Sequence, residues 1–206
     1  VFLTADHGAA HNQQCMIDHK LNGGPWKWWD EMAPQLEKWL KEKLGADLKV
    51  IASLNSYRIY LDKKHIAEWG LETCKVKQSI IDFAKTAPHV QFVIDYEKAA
   101  TAPIPPRLRD MALMGYHPRR SGDILLVLEP GYYEYGKWSS PVGTTHGEWN
   151  PYDAHIPLLF YGWNVEHGST SLEVHITDIA PTVTQMLHIQ QPNACVGEAI
   201  GEVVEN

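Results

Sequence analysis

The sequence of 206 residues contains no run of about 18 consecutive apolar residues, so it offers no helix able to span a membrane. Cysteine is scarce. Cys15, Cys74 and Cys195 are odd in number and far apart, which excludes a zinc ribbon or a Cys-x-x-Cys redox motif and leaves separate thiols or one bridge. Positive charge is in deficit: 18 Lys and Arg stand against 25 Asp and Glu, for a formal charge of −7. Nucleic-acid and acidic-membrane surfaces need clustered cations, so neither partner is expected. No Gly-rich loop of the P-loop or dinucleotide type occurs, and no Gly-x-Ser-x-Gly elbow, which disfavours a serine hydrolase of that design. An Asp-x-x-x-His pair is absent, as are an internal repeat, a signal peptide and an initiator Met.

What is present begins at once. Residues 1–5 are an apolar, β-favouring run that predicts a strand buried on both faces, as in a mostly parallel sheet. It ends directly in Asp6-His7-Gly8. In open α/β sheets, functional loops gather beyond the carboxyl ends of strands. A carboxylate and an imidazole delivered there can converge on one ion, and the pair suits Zn²⁺ or Mn²⁺. Gly8 keeps the backbone beside them unobstructed. An opening in mid-strand implies a chain that is the later part of a longer enzyme.

Further along, Leu36, Trp39, Leu40 and Leu44 recur at helical spacing, with Pro34 in the first turn and Gly45 placed to end the helix. Two β-type runs, 48–54 and 57–61, flank an Asn55-Ser56 turn. A second helix spans 74–85 and another strand 90–94. This block predicts a small α/β subdomain, residues 32–100, with helices on one side of a short antiparallel sheet, inserted into a core made of 1–31 and 101–206. In the core, a Pro-rich entry leads to a short helix carrying Leu108, Met111 and Ala112. Strands are expected at 124–128 and, buried, at 156–161. A loop rich in Gly, Tyr and Pro lies between them over 130–147, and a last helix starts near Thr177-Asp178.

A second chemical cluster lies in 143–157. His146 stands between small residues, free to reach a ligand position. Asp153 reads as a cap or orienting group, His155 as a loop hydrogen-bonding residue and Glu148 as solvated. His11 and His19 sit on the first long loop, where substrate contact and plain exposure are both open readings. Asp95 and Glu97 read as surface carboxylates.

Several segments in this order resemble the alkaline phosphatase superfamily, and within it the bacterial single-chain alkaline phosphatases related to nucleotide pyrophosphatase/phosphodiesterases. They are Thr4-Ala5-Asp6-His7-Gly8, residues 120–131, Gly143-Thr144-Thr145-His146-Gly147, residues 152–162, residues 176–182 and Pro192-Asn193. The resemblance implies an α/β fold, the C-terminal part of a mostly parallel sheet flanked by helices. It also implies hydrolysis of phosphate esters by two zinc ions, and a periplasmic or secreted location. Asp6 and His7 would bind the zinc that activates the nucleophile. His146 would bind the zinc that steadies the leaving group. Two cations clamping an in-line displacement give the chemical rationale.

The family's Thr or Ser nucleophile, its first Asp ligand and its Asp-x-x-x-His pair lie upstream of what this sequence contains. The chain alone is therefore expected to be inactive and to hold zinc weakly or not at all, with the N-terminal part of the parent as its natural packing partner. Phosphodiesterase, nucleotide pyrophosphatase, phosphoglycerate-mutase-like and single-calcium sulfatase-like relatives are the alternatives. His146 favours the two-zinc branch over calcium, which prefers oxygen ligands. For the fragment by itself, a non-catalytic folded module is the alternative.

Overall fold

The computed structural model describes residues 1–134, 143–162 and 164–204. The chain divides into two compact units, residues 7–155 and residues 1–6 with 156–206.

In the 7–155 unit, helix α1 (Gln13–Asp18) and strand β2 (Gly24–Trp26) precede a π-helical turn at Trp28–Met32 and helix α2 (Ala33–Leu44). Strands β3 (Ile51–Asn55) and β4 (Arg58–Leu61) form a hairpin. Helices α3 (Lys63–Glu68) and α4 (Thr73–Ala84) follow, then β5 (Val90–Asp95), α5 (Pro106–Met114), β6 (Ile124–Leu128), β7 (Tyr132–Glu134) and the single-turn α6 (Pro151–Ala154). Gly45 ends α2 as expected, with φ of 67° and its N–H returned to the last turn, because a left-handed C-cap carries no Cβ penalty in glycine.

The sheet order is β3-β4-β6-β5, antiparallel throughout. Strand β6 was expected in the parent's core; it is hydrogen-bonded instead between β4 and β5. A continuous apolar run fits any strand covered on both faces, so periodicity alone could not place it. Both faces of this sheet are indeed covered. Ile124, Leu126 and Leu128 join Leu36, Leu40, Val76 and Ile80 of α2 and α4, whereas Val127 joins Ile94, Leu108 and Ala112 beside α5. The helices within residues 32–100 pack on one face, and α5, from beyond that block, covers the other. Beside this sheet, β2 and β7 pair in parallel.

In the other unit, β1 (Phe2–Thr4) pairs antiparallel with β8 (Leu158–Phe160), and a 3₁₀ turn at Ile176–Asp178 leads into α7 (Ile179–Met186) and then α8 (Gly201–Val204). The α/β class holds. The strands β1 and β8 were expected to be buried and are not: Leu3 is 63% exposed and Leu159 53%. Each has one strand neighbour, and apolar side chains of a strand stay dry only where another layer covers them. A cleft of about 330 Å³ lies beside them, lined by Phe2, Phe160, Val165, Val183, Met186 and Leu187. Cys15, Cys74 and Cys195 are unpaired. Part of the expected 130–147 loop lies outside the described residues.

Candidate metal centre

His7 and His146 are far apart in sequence and adjacent in space. The segment after His7 is laid along two stretches of the later loop. Gly8 N–H donates to Asp153 O at 2.7 Å, Ala9 N–H to Tyr152 O at 3.1 Å and Ala10 N–H to Thr145 O at 3.0 Å. The Thr144 hydroxyl donates to Ala10 O, and Asn12 Nδ2 donates to Gly143 O at 3.0 Å. Only glycine fits at position 8, since a Cβ there would lie 1.9 Å from Tyr152 O. This backbone clasp brings the two imidazoles face to face, with centroids 3.4 Å apart and planes inclined by 12°.

His7 Nδ1 lies 2.6 Å from Gly8 O. A carbonyl can only accept, so Nδ1 carries the proton there and Nε2 carries the lone pair, the form that a metal ion requires. Ions in two-metal sites stand about 3.5–4 Å apart, so parallel rings at this spacing suit neighbouring ions better than one shared ion. The donor chemistry fits part of a zinc pair. Four-coordinate zinc takes three or four protein ligands, and no group of three or more His, Cys, Asp and Glu capable of holding a metal occurs among the described residues. Asp6, one peptide bond before His7, ends the other compact unit at the surface.

Behind His146 the loop is held by buried polar groups. Glu148, expected in solvent, is only 8% exposed, and its N–H donates to Asp153 Oδ2 at 2.7 Å. Asp153 is thus an orienting residue: its carboxylate holds the His146 loop while its carbonyl holds Gly8. Tyr152 Oη accepts from Gly131 N–H at 3.1 Å and from Asn150 Nδ2 at 3.0 Å. Tyr57, whose chemistry nothing in the sequence signalled, accepts from Glu134 N–H at 3.0 Å and stands beside the Glu148 carboxyl. Burial pushes the Glu148 carboxyl up to about 7; the Tyr57 phenol pulls it down somewhat and the Asp153 charge adds to the rise. Burial, with Glu148 beside it, holds the Tyr57 phenol far above its usual range.

The remaining candidates have other roles. His155 follows α6 as its C-cap, and His19 Nδ1 meets Cys15 O at 2.7 Å at the end of α1. Asp95, read as a surface carboxylate, is nearly buried and pairs with Lys77 at 2.9 Å, which also meets the exposed Glu97 at 2.6 Å.

Residues 1–153 match the Type I phosphodiesterase / nucleotide pyrophosphatase family. The chain belongs to that family. As a member of it, the chain is similar to alkaline phosphatase PafA of Elizabethkingia meningoseptica, with 40% identity over 99% of this chain and 36% of PafA. It is 41% identical to a protein of Myroides odoratus named calcium-transporting ATPase, over all of this chain and 37% of that protein. The crystal structure of wild-type PafA superposes with a TM-score of 0.90 at 40% identity, covering 99% of this chain and 38% of PafA. This phosphodiesterase-family chain therefore spans little more than a third of the relatives it matches.

Proposed function

We propose that this chain is the C-terminal part of a zinc-dependent phosphate ester hydrolase of the alkaline phosphatase kind, exported to the periplasm or cell exterior. The observation that carries the reading is the His7–His146 stack, two imidazoles at the spacing of a metal pair with Nδ1 of His7 committed to a carbonyl. Asp6, bonded to His7, is taken as its co-ligand on the zinc that activates the nucleophile, and His146 as a ligand of the zinc at the leaving group. Zinc supplies Lewis-acid stabilisation of the oxygens in an in-line displacement. His7 and His146 offer imidazole nitrogen donors, and Asp153 and Glu148 hold the loop that aims His146.

Residues 32–100 are likewise proposed as an insertion in the parent, its sheet completed by β6 from the later part of the chain. The exposed apolar residues of β1 and β8 are the surface that the rest of the parent would cover. The sequence similarity to PafA favours monoesters; the family as a whole also includes diester and pyrophosphate hydrolysis, which is the second reading.

Turnover of p-nitrophenyl phosphate and of bis(p-nitrophenyl) phosphate by the parent enzyme tests this. Chelation is expected to abolish hydrolysis and Zn²⁺ to restore it, with Asp6→Ala reducing it at least a hundredfold. The chain alone is expected to give no turnover with Zn²⁺. Chelator-insensitive hydrolysis, full activity of Asp6→Ala, or robust turnover by the isolated chain would each overturn the reading.

A further inference from the structure

The turn of the β3–β4 hairpin is unusual. Ser56 and Tyr57 both have positive φ, 47° and 62°. The left-handed region is uncommon for non-glycine residues and is normally taken in such turns by Asn, Asp or Gly. A bulky aromatic holds it only where its surroundings over-determine it. Tyr57 is 5% exposed. Its ring lies 6.3 Å from that of Trp26, and its carbonyl accepts from Leu126 N–H at 2.8 Å. The turn conformation aims the phenol away from its own hairpin. Its oxygen accepts from Glu134 N–H at the end of β7. Its hydroxyl faces the buried Glu148 carboxyl, whose Oε1 has no hydrogen-bond partner among the described residues. The ring edge also lies within 3.6 Å of where a Cβ on Gly147 would be. Tyr57 therefore stands beside the two residues that follow His146.

We propose that Tyr57 is a positioning residue for His146: the hairpin, which supplies no ligand itself, forms the rear wall of the metal-binding loop and sets where that imidazole stands. This rests on the reading of His146 as a zinc ligand. The phenol is hydrogen-bonded by β7 and stands beside Glu148 and Gly147, so losing the hydroxyl alone loosens the loop while the ring keeps packing on Trp26. The left-handed backbone at Tyr57, uncommon for an aromatic residue, is held by these surroundings.

The test compares Tyr57→Phe with Ile59→Val. The latter is a core change in the same hairpin, at a fully buried position paired with Ile124 of β6. In the chain itself, the imidazole proton signals of His146 and His7 report their stacking through ring-current shifts, and amide exchange reports the loop. Tyr57→Phe is expected to move both imidazole signals and to speed exchange at Gly147 and Glu148 about tenfold relative to the core amides. Ile59→Val is expected to change global stability and leave both readouts as in the native chain. In the parent enzyme, Tyr57→Phe is expected to lower kcat/KM for p-nitrophenyl phosphate about tenfold. Native His146 signals and native loop exchange in Tyr57→Phe would overturn the proposal, as would the same changes in Ile59→Val. A parent without zinc-dependent turnover would sink the functional reading, and the imidazole signals would still judge the role of Tyr57.

Discussion

Gly8→Ala is the most direct probe of the clasp that joins the two imidazoles. The added methyl would sit 1.9 Å from Tyr152 O, 2.9 Å from Tyr152 C and 3.2 Å from the Asp153 Cα, all backbone atoms. None can rotate away, so the segment at Gly8 must move off residues 152–153 by more than about 1 Å to restore ordinary van der Waals contact. That displacement breaks the Gly8–Asp153 and Ala9–Tyr152 hydrogen bonds of 2.7 and 3.1 Å. Two backbone hydrogen bonds at about 1 kcal/mol each, plus overpacking of about 1–3 kcal/mol, give a loss of about 3–5 kcal/mol. Domains of this size have about 5–15 kcal/mol in total, so the effect is large. Urea denaturation read by tryptophan fluorescence should show the midpoint falling steeply. The ring-current shifts of the His7 and His146 protons should collapse together with it. Gly168→Ala, where a Cβ meets nothing within 4 Å, is the control and should be near neutral. A Gly8→Ala chain within about 1 kcal/mol of native, with its histidine signals unchanged, would refute the clasp as the device that pairs the rings.

Two further perturbations follow from buried charge. Burial raises the Glu148 pKa in the folded chain to about 7. The folded state then holds more protons than the unfolded one above the ordinary carboxyl value, so stability falls as pH rises from about 4.5 to 7 and stays low beyond. At about 1.36 kcal/mol per unit, metal-free Glu148→Gln should exceed the native chain by up to about 3 kcal/mol at pH 8 and match it near pH 4.5. Parallel stability curves in urea across that range would contradict this. Lys77→Met leaves Asp95, whose side chain is 9% exposed, with only the more distant Lys98 at 3.9 Å, and should cost up to about 3 kcal/mol. Lys77→Met with Asp95→Asn should recover a measurable part of that loss in thermal denaturation, and no recovery would assign the loss to packing.

Local pattern made much of the fold legible. The apolar spacing of Leu36 and Leu40 with Gly45 beyond them, and of Val76 and Ile80, was sufficient for α2 and α4, because a stripe at 3.6-residue period has one interpretation at that length. The all-apolar β6 was visible as a strand while its sheet was not, since burial on both faces is the same signal in a parallel core and in the centre of an antiparallel sheet. The hairpin turn falls on Ser56-Tyr57, one residue later than expected, because tertiary contacts to Tyr57 override the turn preference of Asn55. At the candidate site, the Gly-flanked motifs singled out His7 and His146, and the fold stacks the two rings. Glu148 and Asp95 were misplaced as solvated, because a single charged residue on a loop carries no mark of the partner that will bury it.

The residues by themselves settled the chemical types, an acid and an imidazole at a strand end and a second imidazole between small residues, and with them the family. Chain connectivity fixes such motifs because they are read within a few consecutive positions. Which side chains meet is another matter. The 3.4 Å stack of His7 on His146, the close passage of Gly8 over residue 152 and the reach of Tyr57 to Glu148 join positions from 91 to 144 residues apart. Contacts at such separations are chosen by the packing of whole elements, and only the folded chain decides them.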